Sequence, residues 1–470
     1  MFAEFAAERP FFMRWFADPA PFLTARWIWL RALGAIFFSA FYALWFQIHG
    51  LIGPGGTLPA RDYLLYAKQA VGAKAYWLIP SLLWIDASRG ALTVIVAFGL
   101  AASLAIVFNL WPRLSIGVAL ICFLSFVSAA QDFSGYQSDG MLLEAAFLSL
   151  FLAPRGLLPK FGAHDPPTRA AVFLLQWEWF RIYFESGVVK ILSGEEQWRH
   201  LTAMDKYYEN GPLPTWIGWH VQQFPHWFHA STALATLVVE LLVAWLVFAP
   251  RRARLVAFCI VTPLQIGIIL TANYAFLNYL VLALGVLLLE DFWTAAAKPP
   301  LSKAAARLPQ SIVLPLIFVL SITSFFGFDP IAQFRIVNNY GLFAVMTRHR
   351  YEIEFQGTRD GQTWIAYPFR YKPQNPRRAP GIFAPYQPRF DWNLWFASLG
   401  HVSDNPWVLS VEQRLLENDP DVLRLFAGNP FASQPPREVR AVLWQYWFTT
   451  SAERARTGNW WNRRDLGEWR

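Results

Sequence analysis

The chain has 470 residues, 55% of them hydrophobic and only 15% charged, with 24 Trp, a composition that argues against a purely soluble protein and for a membrane protein with a soluble portion. The net charge of +8 does not point to nucleic acid, because the bases stand in short clusters between apolar runs, the mark of positive-inside topology. The two cysteines, Cys122 and Cys259, both lie in apolar runs without a CxxC or a nearby His, which argues against a disulfide framework, thiol exchange or structural zinc. No metal or cofactor is expected.

In chain order, residues 1–26 carry Arg9, Arg14 and Arg26 among aromatics and lack the apolar core and cleavage site of a signal peptide. Trp27 to Ile48 is long enough to span, with Arg31 near its start where it can snorkel. HGLIGPGGTLPARDYL reads as a turn-rich loop, with His49 and Asp62 at its flanks in turn or cap roles. An aromatic interfacial segment (Tyr76 to Ile85) leads to a second span near Ala91 to Leu110 and a third at Leu114 to Ala130. The loop QDFSGYQSDG holds Tyr136, Gln137 and Asp139, the last a candidate cap for the next helix, Met141 to Leu152, which carries Glu144.

Gln176 to Leu192, QWEWFRIYFESGVVKIL, sets four ionisable side chains in a segment otherwise fit for lipid. At about 100° per residue, Glu178, Arg181 and Glu185 share one arc, with Lys190 about a turn further on, past Gly187. A central charge costs on the order of 3 kcal/mol by insertion scales, so this face must look inward at partners or water. Two readings stand: Arg181 clamped structurally between two carboxylates, or a polar site within the membrane domain. Glu144 and Glu240, on other spans, are placed to bracket Arg181 or Lys190 in a buried network. Lys190, desolvated near Asp139 or Glu144, would suit a base, with Lys190, Glu185 and Asp139 as the catalytic candidates. The alternative for Lys190 is a snorkelling interface residue.

Further spans are expected near Ala230 to Phe248, Leu255 to Thr271, Phe276 to Leu289 and Ile312 to Phe328. Asn273, Tyr274 and Asn278, in and after the ANYA link, read as interhelical hydrogen bonders or outer-face loop residues. Clustered bases alternate with base-free loops, which supports about nine spans, a cytosolic N-terminus and a non-cytosolic C-terminal part.

Residues 330–470 change character. YEIEFQGT and TWIAYPFRY flank Arg359, Asp360 and Gly361 as a hairpin, a Pro-rich segment and then helices are expected to follow, and AVLWQYWFTT reads as a late strand. Asn338, Tyr340 and Gly341 read as a turn packed under the sheet; Arg389 and Asp391 as an ion pair beside Trp392. Aromatics of the Pro-rich stretch, Tyr386 among them, would grip extended client peptides together with Asn338, Tyr340, Arg389, Asp391 and Trp392. The expected fold is a polytopic α-helical membrane bundle (residues 1–329) followed by a β-rich mixed soluble domain (residues 330–470).

WLRALGAIFFSAFYALWFQIHGLIGPGGTLPA, YQSDGMLLEAAF, FRIYFESGVVKILSGEEQWRHLTAM, NNYGLFAVMT and YKPQNPRRAPGIFAPYQPRFDWNLWFA, in this order, resemble the lipase maturation factor family over nearly the whole chain. The resemblance implies a polytopic membrane protein with a non-cytosolic C-terminal domain; animal members are endoplasmic-reticulum proteins needed for secreted lipases to fold. Their role has been linked to client disulfides, but the placement of both thiols argues against direct exchange here. FESGVVKILSG is also similar, more faintly, to the membrane domain of vitamin K-dependent carboxylases, which implies a base role for Lys190. A bias of 32 Arg against 8 Lys and no retrieval tail favour a bacterial inner membrane, with the endoplasmic reticulum the setting for a eukaryotic source. The expected partners are an exported client protein, a lipase among the candidates, and membrane lipids. Two functions follow: a membrane-anchored maturation factor, or an integral-membrane enzyme acting on a lipidic or peptide substrate. No inverted repeat supports a transporter.

Overall fold

The computed structural model describes residues 20–291 and 308–470. Arg9 and Arg14 of the N-terminal cluster, and the Lys298, Lys303 and Arg307 cluster, lie outside the described residues. The first long helices are α1 (Leu23–Ile52), α2 (Ala60–Val71), α3 (Arg89–Val107), α4 (Pro112–Ala129), α5 (Gln137–Leu152) and α6 (Arg169–Leu192). After them come α7 (His226–Leu241), α8 (Arg251–Thr271), α9 (Leu277–Gly285) and α10 (Leu308–Phe325). Every segment predicted to span overlaps one of these helices. Among the described residues, five helical stretches are long and apolar enough to cross a membrane: Leu23–Ile52, Arg89–Val107, Pro112–Ala129, His226–Phe248 and Arg251–Thr271.

Local chemistry sets the helix starts. Ser88 accepts from Ala91 N at the head of α3, Thr168 does the same for Ala171 N at α6, and Pro112 opens α4 where its missing N–H costs nothing. Close packing needs small residues: a Cβ on Gly99 of α3 would come within 2.3 Å of the Phe41 ring on α1.

At one end of the bundle, Arg26 is buried and donates to the carbonyls of Asp165, Gly162 and Phe161 at 2.6, 2.9 and 3.0 Å. It clamps these carbonyls from within the fold. Arg113 joins it there, with Nε on Ala153 O at 2.7 Å and Asp165 at 3.4 Å.

The C-terminal region holds an antiparallel sheet in the order β2 (Ile365–Ala366), β1 (Arg350–Thr358), β3 (Glu438–Phe448), β4 (Trp461–Glu468). Helices α11 (Arg389–Ala397), α12 (Trp407–Leu416) and α13 (Pro420–Leu423) complete it. The predicted hairpin is present. Gly361 takes a φ of +73°, and Asp360 accepts from Gln362 N and Thr363 N at 2.8 and 2.7 Å, which holds its carboxyl below the usual range. The sheet rests on the bundle through buried Arg350, which donates to Glu209 O at 3.0 Å and Pro212 O at 2.9 Å and pairs with Glu352, itself 2.9 Å from Lys372.

Candidate functional site

The charged face of α6 is where the two regions meet. Glu178, Arg181, Glu185 and Lys190 are all buried. Arg181 forms an ion pair with Glu144 of α5, donates to Asn338 O at 2.7 Å and lies 5.3 Å from the Tyr340 ring. The other Glu144 oxygen accepts from Tyr340 OH at 2.8 Å and Asn338 Nδ2 at 3.1 Å, while Glu185 accepts from Tyr340 N at 2.8 Å. Arg181 is thus held by a facing helix and an inserted loop, not clamped between Glu178 and Glu185; among the described residues, neither Glu178 oxygen has a hydrogen-bond partner. A charged group taken out of water needs hydrogen bonds as well as an opposite charge, and the loop supplies them to Glu144 and Glu185.

Lys190 donates to both oxygens of Glu240 at 2.8 Å and to Leu342 O at 2.8 Å, and sits 5.1 Å from the Trp198 ring. Gly187 is what lets α7 approach: a Cβ there would lie 2.9 Å from Glu240 Cβ. Glu144 and Glu240 do bracket Arg181 and Lys190 respectively, as the sequence suggested, whereas the expected approach of Lys190 to Asp139 or Glu144 is corrected, since Arg389 and Arg181 hold those two carboxylates.

Asn338 to Thr347 is irregular backbone laid along this face. Its polar groups are met one after another: Gly341 N by Gln137 Oε1 at 3.1 Å and Leu342 N by Ser186 Oγ at 3.1 Å. Phe343 O accepts from Trp198 Nε1 at 2.9 Å, Met346 O from Gln197 Nε2 at 3.0 Å and Thr347 O from Asn210 Nδ2 at 2.7 Å. Non-helical backbone is tolerable beside a membrane bundle only when so satisfied. Asn338, Tyr340 and Gly341 therefore plug the bundle instead of forming a turn under the sheet.

A second seam lies at the Pro-rich segment. Arg389 makes a bidentate pair with Asp139 at 2.7 and 2.8 Å and donates to Phe133 O at 2.9 Å. This corrects two expectations. Asp139 does not cap α5, because the guanidinium takes its carboxylate; Arg389 does not pair with Asp391, because positions i and i+2 of a helix point apart. Asp391 accepts from Tyr371 N at 3.3 Å and Lys372 N at 3.2 Å, and burial pushes its carboxyl up to about 6. Tyr136 stacks on Trp392 at 5.2 Å. Gln47 donates to Tyr386 OH at 3.1 Å, and Asn273 accepts from Phe383 N at 2.6 Å and donates to Gly381 O at 2.9 Å. Asn278 bonds Gln265 of α8 at 2.7 Å, a true interhelical link. His49 meets Thr93 at 3.0 Å, and Asp62 stands exposed in the first turn of α2.

Of the residues expected to grip a client, Tyr340, Arg389, Asp391 and Trp392 are buried and Asn338 and Tyr386 half-buried. As they stand, all but Asp391, which bonds within the C-terminal region, fasten that region to the bundle. A cavity of about 320 Å³ opens beside Lys190 and Glu240, lined by Tyr207, Tyr208, Phe228 and Phe343. Among the described residues no cluster of His, Cys, Asp and Glu is suited to a metal. Sequence reading missed Gly187, Ser186 and Trp198; their signal was only the proximity of small and hydrogen-bonding residues to Lys190.

Residues 24–296 match the family model described as the lipase maturation factor transmembrane domain, and residues 336–470 match that of the lipase maturation factor C-terminal domain. The chain is 31% identical over 578 residues to lipase maturation factor 2 of Gallus gallus, covering 94% of this chain and 80% of that protein. It is 31% identical over 502 residues to lipase maturation factor 1 of Bos taurus (95% and 88% covered) and 29% over 494 residues to that of Homo sapiens (95% and 87%). No solved structure matches.

Proposed function

This chain belongs to the lipase maturation factor family, an integral membrane protein by its helices, and from that premise we propose that it matures exported proteins, lipases among them, outside the cytosol. The observation that carries this reading is the match of both family models in order along one chain. In this reading the bundle of residues 1–329 crosses the membrane nine times, the N-terminus is cytosolic and residues 330–470 face the periplasm or lumen. Support for the sidedness comes from Arg26 and Arg113 meeting at one end while Gln47, Asp139 and Asn273 meet the C-terminal region at the other. Positive charge at one end is what topology rules require of the cytosolic side.

The scaffold role is favoured over catalysis because the ammonium of Lys190 has three carbonyl or carboxylate acceptors already engaged. The enzyme reading draws on the cavity beside that residue. Deleting the gene in its host and measuring the specific activity of secreted lipase tests the first reading: protein secreted in normal amount with reduced activity is expected, and unchanged activity of every secreted enzyme contradicts it. A folded Lys190→Met variant that retains client maturation removes the enzyme reading. Alkaline phosphatase fused after residue 160 should be inactive and fused after residue 470 active.

A further inference from the structure

A cavity of about 570 Å³ lies where the end of α1 meets the C-terminal region, away from the Lys190 face. Its wall on α1 is aromatic: Tyr42, Trp45 and Phe46 are 45, 44 and 55% exposed, on a helix long and apolar enough to span. Phe38, Tyr42 and Phe46 continue as a ladder at helical spacing, with ring centroids 6.0 and 5.0 Å apart. Such a surface at the end of a span belongs at the lipid interface.

The opposite wall carries Arg370 and Arg424, held together by a bond from Arg370 Nη2 to Arg424 O at 3.2 Å. Both side chains are exposed, and among the described residues neither has a carboxylate within 4.0 Å, whereas the acids lining the cavity are engaged. Asp421 is paired with Arg89 at 2.5 Å, and Asp391 accepts from two backbone N–H groups. Two guanidiniums without a carboxylate partner therefore share one cavity with exposed aromatics of α1.

We propose that this cavity seats the head of a glycerophospholipid from the bilayer. The guanidinium forks of Arg370 and Arg424 match a phosphodiester, and the acyl chains run down the Phe38, Tyr42 and Phe46 ladder. A soluble anion would have no use for the aromatic wall; an uncharged lipid would have none for the arginines. The bound lipid ties the membrane surface to the C-terminal region.

Full-length protein, stripped of lipid in detergent, is titrated with phosphatidylethanolamine, phosphatidylglycerol, diacylglycerol of the same chains, or inorganic phosphate, and read by native mass spectrometry and thermal shift. Both phospholipids are expected to bind, and diacylglycerol and inorganic phosphate not. Arg370→Gln with Arg424→Gln should weaken binding about tenfold or more, Arg370→Lys with Arg424→Lys less, and Arg456→Gln not at all. Trp45→Ala with Phe46→Ala should weaken it too. Equal protection by inorganic phosphate, equal binding of diacylglycerol, or wild-type lipid retention by a Gln double variant that melts like wild type would each overturn the proposal.

Discussion

Helices α6 and α8 have comparable lengths, 24 and 21 residues, and opposite surroundings. In α8 only a narrow stripe with Ala257, Val261 and Gln265 is buried, and the helix is conspicuous as a span because most of its remaining surface is exposed and apolar. In α6, Glu178, Arg181, Glu185 and Lys190 are buried, and it is not among the stretches that qualify as spans by hydropathy. Hydropathy finds the helices that touch lipid; the helix that organises the molecule is recognisable by what should exclude it. Arg181, Glu185 and Lys190 are tolerable because α5, α7 and the loop Asn338 to Thr347 enclose and partner them.

The comparison breaks most readily at Arg181. Glu144→Ala leaves the guanidinium without its carboxylate, and a loss of about 3–5 kcal/mol is expected, seen as failure to accumulate or a collapsed melting temperature in detergent. Cys259→Ser on exposed α8 should leave both unchanged. Next comes the second seam: Asp139→Ala strands Arg389 and should cost about 2–5 kcal/mol, with residues 330–470 turning sensitive to protease before the bundle does. Gly187→Val forces a Cβ against Glu240 and should cost about 1–3 kcal/mol; an unshifted melting curve would show that α6 and α7 are not in contact.

A pH effect follows at Asp391. Its folded value of about 6 lies above the value near 4 of an unfolded Asp, so the native state binds the proton more tightly. Stability should therefore rise as pH falls through 6 and level off below about 4, and Asp391→Asn should flatten that slope. Glu412, raised to about 6 by burial, contributes in the same direction and is unaffected by the substitution. The smallest effect is expected at Glu178, where Gln replaces a buried carboxyl group that has no hydrogen-bond partner; a change within about 1 kcal/mol, of either sign, is predicted from thermal melts.

Local features were legible in the sequence. Apolar runs marked the helices, and Asp360 with Gly361 marked the hairpin, although its second strand is only Ile365–Ala366. Strand β4 was not recognised, since WNRRDLGE shows neither alternation nor β-propensity; it is an edge strand whose charges discourage further pairing. Glu144 and Glu240 were legible as acids placed to bracket Arg181 or Lys190; which acid meets which base, and the backbone that completes each set, were the harder part. Lys190 meets Glu240 from 50 residues away and Leu342 from 152, Arg181 meets Glu144 from 37, and Arg389 meets Asp139 from 250. A helical wheel says which face carries charge, but not which distant element covers it. The Arg389–Asp391 expectation erred for the same reason, preferring a neighbour in sequence to a partner in space.

The central claim is that Asn338 to Thr347 is lodged against α6. A Cβ on Gly341 would lie 3.8 Å from Val189 Cβ, a separation typical of a disulfide. In a background free of Cys122 and Cys259, Val189→Cys with Gly341→Cys should oxidise nearly completely in membranes, giving a disulfide-linked peptide by mass spectrometry. Free thiols at both positions after oxidation, in protein that still folds, would contradict the account.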